Sequence, residues 1–152
     1  LGDLYSYLHS FGDARAQFEA DRNPVKVIQS YRNDYRLPDR LQQALAYGQK
    51  AIAGGVMVPE CLMEMSDIHR QLGRPDRALA LLDQVAANPG YESEAHLLKG
   101  RIHFKLRDFA KAKAEFSLVR SDDMAGPVRY REAQDSLADI ARYESLGVQP
   151  PS

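Results

Sequence analysis

The side chains best suited to chemistry lie in the middle of the chain, on two stretches with helical spacing. Cys61, Ser66 and His69 share one predicted helix, but a nucleophile and a base on a single helix seldom meet in a catalytic geometry. His69 and His103 are 34 residues apart, and a metal site there would need cysteine or carboxylate ligands that converge on both rings. We interpret both histidines as packing residues. The sequence therefore predicts no catalytic residue, no metal and no cofactor.

The composition is that of an ordinary globular domain. Of the 152 residues, 44% are hydrophobic and 27% are charged, which argues against a disordered chain. Lys and Arg number 20 against 21 Asp and Glu, so no excess charge favours nucleic acid or an anionic membrane. No run approaches the roughly 20 apolar residues of a membrane helix. We therefore expect neither nucleic-acid binding nor direct membrane insertion.

The single cysteine bears on the compartment. Cys61 has no second cysteine to pair with in this chain, and low cysteine usage points to a reducing environment. The cytoplasm is therefore favoured over the periplasm. The sequence leaves the compartment open beyond that preference.

The apolar pattern of the chain is helical, and it repeats. β-Branched residues are scarce, and no segment shows the alternation of apolar and polar residues that is typical of a strand. The pentad AKAEF at 112–116 has a near copy, ARAQF, at 14–18. Ala44, Ala78 and Ala112 follow one another at intervals of 34 residues. The chain is thus predicted to be all-α and built from repeated helix pairs.

The helix that precedes each of these alanines repeats at the same interval. Arg32, Ser66 and Gly100 occupy one position of it in successive units. A helix-breaking residue separates the two helices of a pair, as Pro38 and Gly73 show. Each unit is therefore predicted to be a helix, a tight turn and a second helix.

A repeat of this length resembles the tetratricopeptide repeat. The last full unit carries the resemblance most specifically, since Gly100, Phe109, Ala112 and Phe116 stand at the spacing of that family. The resemblance implies a right-handed α-α superhelix, which is a solenoid of antiparallel helix pairs, with a C-terminal capping helix. It also implies a non-catalytic module that binds other proteins.

On this basis residues 1–146 are expected to form one domain, and residues 147–152 a disordered tail or linker stub. The domain divides into a partial repeat, three full repeats and a capping helix, at 1–24, 25–58, 59–92, 93–126 and 127–146. Leu1, Gly2 and Tyr5 match the first helix of the family motif. We therefore expect a chain that begins inside a repeat, as a fragment of a longer protein would.

One region allows a second alignment. Residues 37–45 also match residues 74–82, at an offset of 37 instead of 34. The longer offset would turn Leu41 toward the partner helix, whereas the shorter one turns Ala44 there. We prefer the offset of 34 because it also places Ile28, Tyr31 and Tyr35 on one face.

In this family the first helices of the repeats line the concave side, and we expect a ligand to bind there. Arg70 and Arg101 flank apolar residues on these helices, which favours a peptide or partner helix with apolar anchors and some acidic character. The alternative for Leu97 and Phe104 is packing against the next repeat. The predicted groove residues are Gln29, Asn33, Arg36, Met63, Asp67, Arg70, Leu97, Arg101, Phe104 and Lys105.

Three functions remain open from the sequence. The first is a scaffold that binds a protein or peptide in the groove. The second is self-association or structural stacking, with a homo-oligomer formed through an exposed end of the solenoid. The third is a regulatory docking domain of a larger enzyme. In each case the expected partner is a protein, and the chain itself is not expected to be an enzyme.

Overall fold

The described part of the protein is helical. The computed structural model describes residues 13–122 and 126–147, and over these two ranges it contains helices joined by short turns and no strand. This confirms the predicted all-α class. None of the helices in these ranges has the length and apolar character that crossing a membrane requires.

The matches proposed for Leu1, Gly2 and Tyr5 lie outside the described residues, as does the predicted tail beyond Gly147. The chain divides into two compact units, residues 1–73 and residues 74–152, which we call unit 1 and unit 2. The division falls inside the predicted repeat 59–92. The limits of the repeats therefore stay a prediction.

Four helices make up the described part of unit 1. They are α1 (13–20), α2 (Pro24–Asn33), α3 (Arg40–Ala53) and α4 (Val58–Gln71). The Asn23 side chain caps α2 by accepting a hydrogen bond from the backbone N–H of Lys26, at 3.2 Å. Pro24 follows in the first turn, where proline is tolerated because the backbone N–H groups have no acceptor within the helix. Local sequence thus sets the start of α2.

The core of unit 1 lies where α2, α3 and α4 meet. Ile28, Ala44, Cys61 and Ile68 are all fully buried there. Ala44 is completely buried and Leu41 only partly, as the 34-residue offset predicts. Tyr35, which was expected on the same face as Ile28, is instead 77% exposed beyond the end of α2. The small side chain of Ala44 allows α3 to approach its neighbours closely.

The described part of unit 2 contains four more helices. They are α5 (Pro75–Ala86), α6 (Glu92–Lys105), α7 (Phe109–Phe116) and α8 (Gly126–Ser145). Asp108 caps α7 as Asn23 caps α2, because its carboxylate accepts a hydrogen bond from the backbone N–H of Lys111 at 3.2 Å. Ala78 on α5 and Ala112 on α7 are 34 residues apart, and each lies on the buried face of its helix.

The core of unit 2 joins α6, α7 and α8. Its buried members are Leu97, Phe109, Ala112, Phe116, Val119, Ala133 and Ile140. Gly100 on α6 lies directly against the ring of Phe116 on α7. The family-like residues of the last full unit are therefore in contact, and they hold α6 and α7 together.

Candidate functional site

The first candidate surface lies in unit 1, where α2 and α4 are neighbours and carry a network of charged side chains. Arg32 on α2 is its centre. One guanidinium nitrogen of Arg32 donates to Glu64 at 2.9 Å, and another donates to Asp67 at 2.5 Å. Gln29 also donates to Glu64, at 3.0 Å. We call Gln29, Arg32, Glu64, Asp67 and Arg70 the α2–α4 surface.

Asp67 is shared between two arginines. Arg70, one turn further along α4, donates to it through Nε at 3.0 Å and through Nη2 at 2.8 Å. Burial by itself would raise the pKa of Asp67, but the hydrogen bonds from Arg32 and Arg70 outweigh it and hold the pKa below its usual value. Asp67 is therefore ionised at neutral pH, and both arginines keep an anionic partner.

The other predicted groove residues of unit 1 are placed differently. Asn33 is exposed at the last position of α2, and Met63 is half-buried on α4. Arg36 is not on a first helix at all, because α2 ends at Asn33. Its guanidinium donates instead to Asp34 at 2.9 Å. The prediction that Arg36 lines the first-helix surface is corrected in this respect.

Asp34 is a fully buried carboxylate with two arginine partners. Arg15 on α1 donates to it at 2.9 Å, from the other side to Arg36, and lies 4.6 Å above the ring of Tyr31. Burial would raise the pKa of Asp34, but the hydrogen bonds from Arg36 and Arg15 reverse the effect and lower it. Asp34 thus ties α1 to the end of α2, and Arg36 serves that contact.

The second candidate surface lies in unit 2, between α6 and α8. Arg101 forms an ion pair with Glu132, and Arg129 reaches Glu132 at 3.7 Å and Glu94 at 3.6 Å. These side chains are partly exposed. We call Glu94, Arg101, Arg129 and Glu132 the α6–α8 surface. It joins two helices by alternating charges, as the α2–α4 surface does in unit 1.

The apolar anchors predicted for unit 2 belong mainly to packing. Leu97 is completely buried in the core, so it offers no surface to a partner and the prediction for it is corrected. Phe104 is partly buried, with its ring 5.7 Å from Phe109 and 5.9 Å from Tyr143. The alternative left open by the sequence was packing against the next repeat. Both residues instead pack with α7 of their own predicted repeat and with the capping helix α8. Lys105 is exposed at the end of α6.

The candidates for catalysis are enclosed. Cys61 is completely buried, and burial together with the charges of Glu60 and Glu64 raises the pKa of its thiol to about 11. A thiol in this state is a poor nucleophile at neutral pH, because very little of it is thiolate. Ser66 is buried and His69 partly buried on the same helix. Across the described ranges, no three His, Cys, Asp or Glu side chains are grouped so that they could hold a metal ion.

Unit 1 contains a small cleft. It has a volume of about 240 Å³ and lies between the end of α1, the start of α2 and the second half of α3. Pro24, Ala51 and Tyr47 give it apolar walls, and Arg22 and Lys50 are at its rim. Ligand pockets are typically larger, at roughly 300 Å³ and above. The cleft therefore gives no support for an enzyme or cofactor site.

Arg32 and Glu64 are functional candidates that the sequence analysis missed. A signal for Arg32 was present, because it stands at the repeat position that holds Ser66 and Gly100 in the later units. Two small residues at that position indicate close helix packing. A long cation in the same place indicates that the helices there are joined by a polar contact instead, and the structure shows that contact.

Taken separately, each unit consists of helices packed against their neighbours in sequence, with a charged surface between two of them. Helices paired in this way are typical of a helical repeat protein. Residues 69–137 match the family model of the tetratricopeptide repeat. The match confirms the resemblance found in the sequence over these residues, which are similar to tetratricopeptide repeats. The described helices are consistent with the helical solenoid of that family. No curated protein and no solved structure matches the chain.

The family bears on function at a coarse level. Tetratricopeptide repeats are generally non-catalytic, and their presence indicates a module for protein-protein interaction. The match covers α5, α6 and α7 and part of α8. The family does not choose the ligand, because repeats of one fold carry many different binding surfaces.

Proposed function

We propose that the protein is a non-catalytic scaffold that binds a protein or peptide segment on the α2–α4 and α6–α8 surfaces. The observation that carries the proposal is the arrangement of Arg32, which bonds Glu64 and Asp67 at once. This arrangement holds the side chains of two helices in one geometry. The Asp67 and Arg70 side chains are nevertheless 42% and 40% exposed. Polar groups that are both ordered and exposed bind a ligand at a lower entropic cost than mobile ones.

The charges of these surfaces specify the ligand further. Arg70 and Arg101 have carboxylate partners, Asp67 and Glu132 respectively. We therefore propose a ligand that carries both positively and negatively charged groups, and not the mainly acidic ligand expected from the two arginines alone. Such a ligand is complementary to surfaces on which the charges alternate. Apolar contact on the α2–α4 side is limited to half-buried residues such as Met63.

The proposal is tested by selecting peptides from a random display library on the immobilised protein and measuring their affinity by fluorescence anisotropy. Two variants change one surface each: Arg70→Glu in unit 1 and Arg101→Glu in unit 2. The matched control is Arg77→Glu, an equal charge reversal at an exposed position of α5. Circular dichroism checks that each variant keeps its helix content.

Reversing a surface charge places Glu beside Asp67 or Glu132, so we expect the selected peptides to lose roughly tenfold in affinity, an effect of about 1.4 kcal/mol. The loss should occur with at least one of the two surface variants and not with Arg77→Glu. Equal affinity for wild type and both surface variants would show that the ligand binds elsewhere.

The alternative of self-association would require a second copy to stack on an exposed helix such as α8. The residues of α8 that point away from Ala133 and Ile140 include Arg131, Asp135 and Arg142, all exposed. A polar outer face does not favour stacking of a second copy on α8. Sedimentation velocity over a range of concentrations measures this directly.

A further inference from the structure

The turn between α6 and α7 in unit 2 concentrates positive charge. Between residues 99 and 113 the chain has six Lys and Arg and one Asp, although the whole chain has a net charge of -1. Three of the six cations bind carboxylates of the same unit: Lys99 binds Asp83 and Glu115, Arg101 binds Glu132, and Lys113 binds Glu144. The other three lie at the turn.

These remaining cations are close in sequence to an exposed apolar side chain, Leu106. Lys105 and Arg107 are exposed and form no ion pair within the described residues. Lys111 has a side chain that is 69% exposed, with only a long contact of 3.7 Å to Asp108. Leu106, between Lys105 and Arg107, is 44% exposed. We call Lys105, Leu106, Arg107 and Lys111 the turn patch.

Arg107 has a backbone conformation that suits glycine. Its φ is 60°, and the hydrogen bonds from Arg107 N to Phe104 O and from Asp108 N to His103 O close the end of α6 around it. Thirty-four residues earlier the same position is Gly73, with a φ of 74°. A side chain with positive φ costs about 1 kcal/mol relative to glycine. An arginine at this position therefore has a stability cost that binding through its side chain would offset.

We propose that the turn patch binds an acidic segment of a partner protein, with Asp or Glu side chains on its three cations and one apolar side chain on Leu106. Three cations are too few for a membrane surface, which takes clusters of about four to eight. The negative net charge of the chain gives no long-range attraction for a nucleic acid. A short acidic segment with an apolar residue matches both the charge and the exposed leucine.

This surface is separate from the two surfaces proposed above. It shares only Lys105 with the groove predicted from the sequence. Arg107 and Lys111 belong to neither the α2–α4 nor the α6–α8 surface. Variants at these two residues therefore test the turn patch without altering the charges of the other surfaces.

The probe is a short fluorescein-labelled peptide in which Asp and Glu residues surround one central leucine, titrated with the full chain. A peptide with Lys in place of every acidic residue, a single-stranded oligonucleotide and vesicles of phosphatidylserine and phosphatidylcholine are the comparison ligands. The variants are Arg107→Glu, Arg107→Gly and Lys111→Glu. Arg131→Glu, an exposed charge reversal on α8, is the matched control.

We expect the acidic peptide to bind wild type, and added salt to weaken the binding. Arg107→Glu and Lys111→Glu should each weaken it roughly tenfold, because each replaces an attraction by a repulsion. Arg107→Gly should weaken binding less than Arg107→Glu while raising stability, since glycine relieves the positive φ. Arg131→Glu should leave the affinity unchanged.

Three results would overturn the proposal. The first is the absence of binding between wild type and the acidic peptide at low salt. The second is an equal loss for Arg107→Glu and Arg131→Glu, which would mean that net charge alone is responsible. The third is tighter binding of the oligonucleotide or the vesicles than of the acidic peptide, which would identify a general polyanion surface.

Discussion

Gly100 on α6 lies so close to Phe116 on α7 that a Cβ atom added to the glycine would be 2.6 Å from Cε1 of the ring. Real Cβ atoms do not approach other atoms this closely, so any larger residue must push the ring away. Phe116 is only 1% exposed and packs with Ala112 and Leu97 in the core of unit 2. The contact between α6 and α7 therefore depends on the absence of a side chain at Gly100.

We predict that Gly100→Ala lowers the free energy of unfolding by about 1–3 kcal/mol, the usual cost of overpacking a core. The matched control is Gly48→Ala in α3, where the added Cβ would meet the Sδ atom of Met65 at 2.6 Å. A methionine side chain adapts more readily than an aromatic ring. Urea unfolding of both variants should show the larger loss for Gly100→Ala, and equal losses would contradict the rigid role of Phe116.

We predict that lysine cannot reproduce the contacts of Arg32. A lysine has one ammonium group and cannot bind Glu64 and Asp67 with the fork of a guanidinium. Arg32→Lys should therefore lower the unfolding free energy by about 1 kcal/mol. It should also raise the pKa of Asp67, because one of the two arginine hydrogen bonds that lower that pKa is lost.

The pKa of Asp67 can be followed by NMR of its carboxyl carbon during acid titration. Arg77→Lys, at an exposed position of α5, is the control for a general arginine-to-lysine effect. An unchanged Asp67 titration in Arg32→Lys would mean that Arg70 alone sets the ionisation of this carboxylate.

Asp34 is predicted to make the free energy of unfolding depend on pH in the acid range. Its pKa in the folded state lies below the ordinary value of 3.8, so the unfolded chain binds a proton at this site more readily than the folded chain. The stabilisation is present above pH 4 and is lost as the pH falls through 3.8 toward the folded-state pKa. Asp34→Asn should lower the unfolding free energy by about 2 kcal/mol at pH 7, since Arg15 and Arg36 lose their charged acceptor.

The same variant should flatten the acid limb of the stability curve. Urea unfolding of wild type and Asp34→Asn at a series of pH values from neutral to acid measures the difference between them. This difference in unfolding free energy should become smaller as the pH falls. A constant difference across the series would mean that the carboxylate charge of Asp34 does not contribute to the contact between α1 and α2.

Cys61 is predicted to be protected from thiol reagents in the folded protein. Burial raises the pKa of its thiol from 9.0 to about 11, so at pH 8 the folded chain holds roughly a hundredfold less thiolate than the unfolded chain. Labelling with a chromogenic disulfide should be slow in buffer and fast in urea. Because the folded pKa is raised, the thiol also contributes stability below pH 9 that is lost as the pH rises through 9 toward 11. Rapid native labelling would mean that the α3–α4 contact around Cys61 opens readily.

Much of the fold was available from the sequence because it follows from local patterns. The helices follow the apolar spacing, and α2 and α7 begin at capping residues, Asn23 and Asp108, that contact the helix backbone three residues ahead. Gly100 and Phe116 were both identified from the family spacing, and the structure brings them into contact. These features depend on residues that are close in sequence or related by one repeat interval, and the sequence states such relations directly.

The candidate binding surface was harder to predict from the sequence, because the exposure of a side chain depends on helices that are distant in sequence. Leu97 has the spacing of a surface residue on α6, yet it is buried in a core to which Ala133 and Ile140 of α8 contribute. Arg36 continues the polar face of α2 in sequence, but the helix ends before it and the buried carboxylate of Asp34 binds its guanidinium.

The sequence by itself determined the helical class and the resemblance to the tetratricopeptide repeat, because both follow from residue types at regular spacing. Tertiary structure decided which charges remain available to a partner. Arg70 and Arg101 look alike as isolated cations, and both bind a carboxylate in the fold, Arg101 across to α8. The free energy of a charged side chain depends on what lies within a few ångströms of it. Only the packing of the helices sets those distances.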